Sequence, residues 1–183
     1  MRVLKDSEER CLVYLDEVNQ HVIKEFKGHK SQTRFQNEVD ILKFLNEKNC
    51  DFVPQLIESD KKSLKTVTTY TGETLEEIDE FKHADIHNRL ESLGVTHNDS
   101  PANPDSFHPN LLRHLRPVSV EKDEQGRFHV TYKSITEQLR IIKRPKNLTI
   151  KDDKLYIIDF EFAYLHSKEY DSNFLNYTSK TFV

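Results

Sequence analysis

The sequence has few cysteines, no long apolar run and no excess of positive charge. Its two cysteines, Cys11 and Cys50, cannot support a disulfide-built scaffold and favour a reducing compartment. No apolar stretch approaches the ~20 residues that span a bilayer, and the N-terminus lacks the apolar core of a signal peptide. The formal net charge of −4 argues against a protein that mainly neutralises nucleic-acid phosphates. These absences predict a soluble, cytoplasmic protein without a membrane or nucleic-acid partner.

The chain does contain enough apolar and aromatic material for a folded core. Its 183 residues fit one domain of ordinary size, or two small lobes around one cleft. Hydrophobic residues make up 36% of the chain, and 11 Phe and 7 Tyr are among them. A disordered chain would be poor in such residues, so we expect a globular fold.

The pattern of residues 1–70 predicts strands on both sides of a single helix. Residues 11–15 and 21–26 are β-rich runs around a polar turn, which predicts a hairpin. Two more strands are predicted over residues 52–58 and 64–70, joined by a lysine-rich turn. The order is therefore strand, strand, helix, strand, strand.

The helix is predicted over residues 33–48, and one charged side chain on it needs an explanation. Thr33 and Gln36 have the spacing of a capping box at its start. Glu38 falls on the apolar stripe of this helix, where a carboxylate is costly unless it has a partner. The stripe consists of Phe35, Val39, Leu42 and Leu45.

The second half of the chain predicts helices, a loop and two hairpins. Residues 73–93 have the pattern of one or two helices, and the proline-rich residues 100–116 have that of a loop. One hairpin is predicted around residues 123–126 and another over residues 147–159. Mixed helices and hairpins indicate an α+β fold.

Four segments in chain order carry the residue types of phosphoryl-transfer chemistry. They are Val22-Ile23-Lys24, Glu38, Thr96-His97-Asn98-Asp99, and the pair Pro145–Ile150 and Ile157–Glu161. Together they resemble the protein-kinase-like superfamily, and most closely its choline kinase and aminoglycoside phosphotransferase branch. The resemblance extends over about residues 12–163. It implies a two-lobed α+β fold, with a small antiparallel sheet and one helix in residues 1–72 and a reduced second lobe in residues 73–183.

The resemblance also implies Mg-ATP-dependent transfer of a γ-phosphoryl group to a hydroxyl, with a role for each residue. Lys24 would hold nucleotide phosphates, and Glu38 would pair with Lys24, which would explain the carboxylate on the apolar stripe. Asp99 would be the catalytic base. Asn147 and Asp159 would hold Mg²⁺. The implied partners are ATP and an acceptor that is a small molecule or a protein side chain.

The sequence departs from this family at both of its ends. No glycine-rich loop precedes Lys24, because the first glycine is Gly28. Glu161 replaces the glycine of the family's Asp-Phe-Gly motif, and only 22 residues follow it. Little of an activation segment or a helical substrate platform can exist in so short a segment.

A further departure lies between Asp99 and Asn147, which are 48 positions apart. We expect an insertion at about residues 100–143 that carries its own hairpin. Asn103 and Asn110 are alternative candidates for the metal-binding role of Asn147.

Two other interpretations of the chain stay open. The missing glycine-rich loop and the short second lobe favour a pseudokinase that keeps the fold and regulates a partner. Alternatively, the motifs coincide by chance in an unrelated α+β interaction domain. The kinase-like interpretation requires a salt bridge between Lys24 and Glu38, and it requires Asp99 and Asp159 to face one cleft.

Two shorter patterns carry weaker signals. His83 and His87 have the i, i+4 spacing of zinc proteases, but Ala84 stands where that pattern needs a glutamate. The basic run of residues 143–146 is typical of a solvated turn.

Overall fold

A computed structural model describes residues 1–100, 117–122, 128–132 and 141–170. These residues combine small antiparallel sheets with two helices, so the predicted α+β class is confirmed. In the described part of the chain, no helix is long and apolar enough to cross a membrane. Asn103 and Asn110 lie outside the described residues, as does most of the predicted loop at 100–116.

The largest sheet has five antiparallel strands, and the fifth strand along the chain lies between the third and the fourth. The hairpin predicted from residues 11–26 is confirmed. The strand predicted from residue 52 begins only at Leu56, because Phe52 and Val53 lie in a turn and are buried in the core. The strands are β1 (Arg2–Ser7), β2 (Cys11–Asp16), β3 (His21–Phe26), β4 (Leu56–Asp60) and β5 (Lys65–Thr69).

Helix α1 (Ser31–Glu47) follows β3 and buries its predicted apolar stripe. The predicted capping box is wrong, because the helix begins two residues before Thr33. Lys30 precedes the first turn with a left-handed backbone (φ 51°), and no side chain caps the helix. The amide of Arg34 instead donates to the Lys30 carbonyl oxygen at 3.0 Å, which closes the first turn.

Only the second half of the segment predicted as helical is a helix. Asp79 is the N-cap of helix α2 (Glu80–Ser92). Its carboxylate accepts hydrogen bonds from the backbone amides of Phe81 and Lys82. The residues before it form the short strands β6 (Glu73–Thr74) and β7 (Glu77–Asp79). These strands pair with later parts of the chain, and that pairing overrides their local helical pattern.

Both hairpins predicted in the second half are confirmed. Strands β9 (Pro117–Lys122) and β10 (Phe128–Tyr132) pair with each other. Strands β12 (Leu148–Lys151) and β13 (Lys154–Ile157) pair around a turn at Asp152 and Asp153. The remaining short strands are β8 (Val95–Thr96), β11 (Ile141–Lys143) and β14 (Tyr164–Leu165).

One apolar cluster joins the two helices to the β12–β13 hairpin and to the segment after it. It packs the second half of α1 with Phe160 and Ala163, which follow β13. Both cysteines are free thiols buried in the protein. The cluster includes Ile41, Leu42, Leu45, Ile86, Leu90, Val95, Leu148, Ile157 and Phe160.

Candidate functional site

Lys24 and Glu38 form a buried salt bridge between β3 and α1. The Lys24 Nζ atom lies 2.6 Å from the Glu38 Oε2 atom. The side chains are only 10% and 6% exposed. The carboxylate on the packed face of α1 therefore has the partner that its position requires.

Lys24 also contacts two carboxylates that follow β13. Its Nζ atom lies 2.6 Å from Asp159 Oδ1 and 3.6 Å from Glu161 Oε2. Burial alone would lower the pKa of Lys24, but attraction to Asp159, Glu38 and Glu161 raises this pKa well above its ordinary value. Lys24 is therefore a cation shared by three carboxylates.

Glu38 and Asp159 differ in how strongly each holds its negative charge. Burial raises the pKa of Glu38 to about 7, because lost solvation and repulsion from Asp159 outweigh the attraction of Lys24. Burial opposes ionisation of Asp159 as well, but the charge and the hydrogen bond of Lys24 lower its pKa to about 2. Asp159 is thus the carboxylate that stays ionised across the physiological range.

Glu161 has two further cationic partners, and both come from the N-terminal part of the chain. The Arg34 Nη1 atom donates to Glu161 Oε2 at 2.8 Å, and Arg10 Nη2 donates to Oε1 at 3.1 Å. Arg34 also donates to the carbonyl oxygens of His29, Arg10 and Lys27. This group of side chains contains three cations and three acidic residues. We call it the charge cluster; it consists of Lys24, Arg34, Arg10, Glu38, Asp159 and Glu161.

His97 is completely buried and links the candidate base to the candidate metal ligand. Its Nε2 atom lies 3.1 Å and 3.2 Å from the carbonyl oxygens of Ile158 and Asp159, and its Nδ1 atom accepts a hydrogen bond from the Asp99 amide at 3.1 Å. Because carbonyl oxygens only accept, Nε2 carries the ring proton. Burial lowers the pKa of His97, which agrees with a neutral ring.

Asp99 and Asn147 are neighbours despite the 48 positions between them. The Asn147 amide group donates to Asp99 Oδ2 at 2.6 Å. The Asn147 carbonyl oxygen accepts a hydrogen bond from the Ile158 amide at 2.9 Å. The β12–β13 hairpin therefore brings Asn147 beside the chain that leads to Asp159. His97, Asp99, Asn147 and Asp159 are gathered at one place.

Asn147 and Asp159 have an unusual backbone conformation. Asn147 has φ 56° and Asp159 has φ 67°, both in the left-handed region. Asn and Asp tolerate this region better than most residues, but a non-glycine residue held there is a reason to ask about function. Both residues are candidate metal ligands.

Asn37 fastens α1 to the segment that follows Asp159. Its side-chain amide donates to the carbonyl oxygens of Phe160, Glu161 and Ala163 at distances of 2.9–3.3 Å. Sequence reasoning missed Asn37, Arg34 and Arg10. A signal existed for Arg34, which lies four residues before Glu38 and so on the same face of α1.

Asp159 and Asn147 offer two oxygen ligands. This set suits Mg²⁺ bound together with a substrate better than a metal ion bound by protein side chains alone. Mg²⁺ is commonly bound by one or two protein oxygens together with substrate phosphates. Within residues 1–100, 117–122, 128–132 and 141–170, no three His, Cys, Asp or Glu side chains form a metal centre. The ring centroids of His83 and His87 lie 4.6 Å apart, with the ring planes tilted by 54°. No third metal ligand joins them from the described residues.

A separate cavity of about 800 Å³ lies against α2, away from the charge cluster. Its lining mixes apolar residues with charges of both signs, and none of the candidate site residues contributes to it. The lining includes Phe52, Ile78, Phe81, Ile86, Arg89 and Leu155.

The chain matches no protein-family model and no curated protein. The function must therefore be inferred from the arrangement of the site itself.

Proposed function

We propose that this chain is a Mg-ATP-dependent phosphotransferase of the protein-kinase-like kind, which transfers a γ-phosphoryl group to a hydroxyl. The observation that carries the proposal is the position of the Lys24 ammonium, 2.6 Å from both Glu38 and Asp159. Phosphoryl transfer depends on positioning and charge neutralisation, and a lysine fixed by a helix glutamate beside a metal-binding aspartate supplies both.

The proposal includes a two-lobed arrangement of the chain. Residues 1–72 would form the smaller lobe, because they contain the five-stranded sheet and α1. Residues 73–183 would form the second lobe and supply Asp99, Asn147 and Asp159. The charge cluster contains residues from both parts, where a nucleotide would bind in such a fold.

Asp99 is the proposed base. Its carboxylate is 19% exposed, and the hydrogen bond from Asn147 to Oδ2 fixes its orientation. It can therefore take the proton of an acceptor hydroxyl that reaches it from solvent. Asp159 and the side-chain oxygen of Asn147 would hold Mg²⁺, which neutralises charge on the phosphates.

His97 and Asn37 are proposed as positioning residues. The protonated Nε2 atom of His97 donates toward the carbonyl oxygens of Ile158 and Asp159. The Asn37 side chain donates to those of Phe160, Glu161 and Ala163. These bonds oppose relaxation of Asp159 out of its left-handed conformation. They keep its carboxylate beside Lys24.

A binding module without catalytic activity is the second candidate. The turn between β1 and β2 lies where the family has its glycine-rich loop, and it contains Glu8, Glu9 and Arg10 instead. Residues with a Cβ hinder the close approach of backbone amides to phosphates. The two carboxylates also repel the phosphates. This turn favours a pseudokinase.

The experiment that separates these candidates measures transfer of labelled phosphate from [γ-³²P]ATP to water and to added alcohols with Mg²⁺. We expect Mg²⁺-dependent transfer that Asp99→Asn lowers about 100-fold or more, with ATP affinity kept within about twofold. Asp85→Asn, which alters an exposed acid of α2, should behave like wild type. Absence of transfer, with or without ATP binding, would refute the phosphotransferase and favour the binding module.

A further inference from the structure

Lys5 lies in the same cross-strand row as Lys24. In the β1–β2 pairing Lys5 lies opposite Val13, and in the β2–β3 pairing Val13 lies opposite Lys24. Residues directly opposite each other in neighbouring strands point to the same face of a sheet. Lys5 therefore shares the face of Lys24, but it is exposed on the edge strand, whereas Lys24 is buried.

Lys5 lies close to the candidate site. Two strand spacings separate it from Lys24, about 10 Å between backbones. Together with Lys24, the Lys5 charge opposes the rise that burial produces in the pKa of Cys11, the first residue of β2. Within the described part of the chain, Lys5 forms no salt bridge of its own.

The other cations near the site are already committed to protein partners. Lys24 is shared among three carboxylates. Arg10 binds Glu161 and lies over the Phe162 ring, with 5.0 Å between Cζ and the ring centroid. Because these cations already have carboxylate partners, an exposed lysine outside the charge cluster would add positive charge for an arriving triphosphate.

We propose that Lys5 binds the phosphates of the nucleotide and replaces the contacts that a glycine-rich loop would make. This inference rests on the proposed function. An ammonium group binds phosphate as a point charge and needs no close approach of the backbone. A lysine on the edge strand can therefore serve a site whose adjoining turn has no glycine.

The test is calorimetric titration of ATP and of adenosine into the whole chain with Mg²⁺. We expect Lys5→Gln to raise the Kd for ATP about tenfold and to leave the Kd for adenosine within twofold, because adenosine has no phosphate. Lys5→Arg should keep most of the ATP affinity. Lys61→Gln is the matched control, since it removes an exposed lysine just beyond β4, the opposite edge strand of the same sheet.

Each outcome separates this inference from the function on which it rests. If wild type binds ATP and Lys5→Gln binds it equally well, the role of Lys5 is refuted and the proposed function stands. If Lys5→Gln weakens ATP and adenosine alike, Lys5 acts through the fold, and the inference is again refuted. If wild type binds no ATP, both proposals are refuted.

Discussion

Glu161→Gln removes the carboxylate that holds Arg34 in the protein interior. Both residues are 1% exposed, and their side chains meet at 2.8 Å. The substitution preserves the shape of the side chain but leaves the guanidinium without a counter-charge. Arg34 keeps its hydrogen bonds to three carbonyl oxygens, so it stays partly satisfied.

The expected cost in the free energy of unfolding follows from this geometry. Removal of one partner of a buried ion pair typically costs about 3–5 kcal/mol. Because Arg34 keeps its carbonyl partners and the new amide oxygen can still accept from it, we expect about 3 kcal/mol. The matched control is Glu25→Gln, which breaks the partly exposed pair with Lys65. It should cost at most about 1 kcal/mol.

The assay is urea denaturation of wild type, Glu161→Gln, Arg34→Met and the double variant at pH 7. The double variant should lose less than the sum of the single losses, by about 1–3 kcal/mol, because each single variant leaves a buried charge behind. A loss for Glu161→Gln as small as that for Glu25→Gln would refute this reasoning. Strict additivity of the two substitutions would refute it as well.

Two further predictions concern the fold around the site. Burial lowers the pKa of His87 to about 2, so this ring stays neutral in the folded protein while the unfolded chain binds a proton below pH 6.5. The free energy of unfolding should therefore fall as pH drops from 6.5. In urea titrations, His87→Phe should reduce the slope of this free energy against pH by about 1.4 kcal/mol per pH unit between pH 6 and 5. An unchanged slope would contradict this prediction. Gly72→Ala should cost at least about 1 kcal/mol in thermal unfolding, because Gly72 has φ +95° and a Cβ would lie 1.8 Å from the Ile150 carbonyl oxygen; unchanged stability would contradict the close approach.

The parts of the fold that sequence predicted are those with a local cause. Two β-rich runs around a polar turn predicted the β2–β3 hairpin, and helical spacing predicted α1. The missed elements depend on distant partners. Strand β6 has two residues and exists because Thr74 pairs with Thr149, and β7 exists because Ile78 pairs with Ile142. No local sequence pattern predicts such a pairing.

The candidate site divides in the same way. The need of Glu38 for a partner could be inferred from the cost of a buried carboxylate. The family resemblance named Lys24 as that partner, and the two side chains lie 2.6 Å apart. The contact of Arg10 with Glu161 joins residues 151 positions apart, and only the fold brings the β1–β2 turn to the segment after β13. The sequence thus indicated that a buried charge needs a partner, whereas the fold determines which side chains become partners.

The most direct test of the proposed nucleotide site is a thermal-shift titration with ATP, with and without Mg²⁺, on wild type and Asp159→Asn. We predict a Mg²⁺-dependent rise in the Tm of wild type, equivalent to ~2.7 kcal/mol of stability at a hundredfold excess of ligand over Kd. This rise should be absent in Asp159→Asn and kept in Asp85→Asn. A wild-type protein that ATP does not stabilise, or an Asp159→Asn variant with the same Mg²⁺-dependent shift, would contradict the proposal.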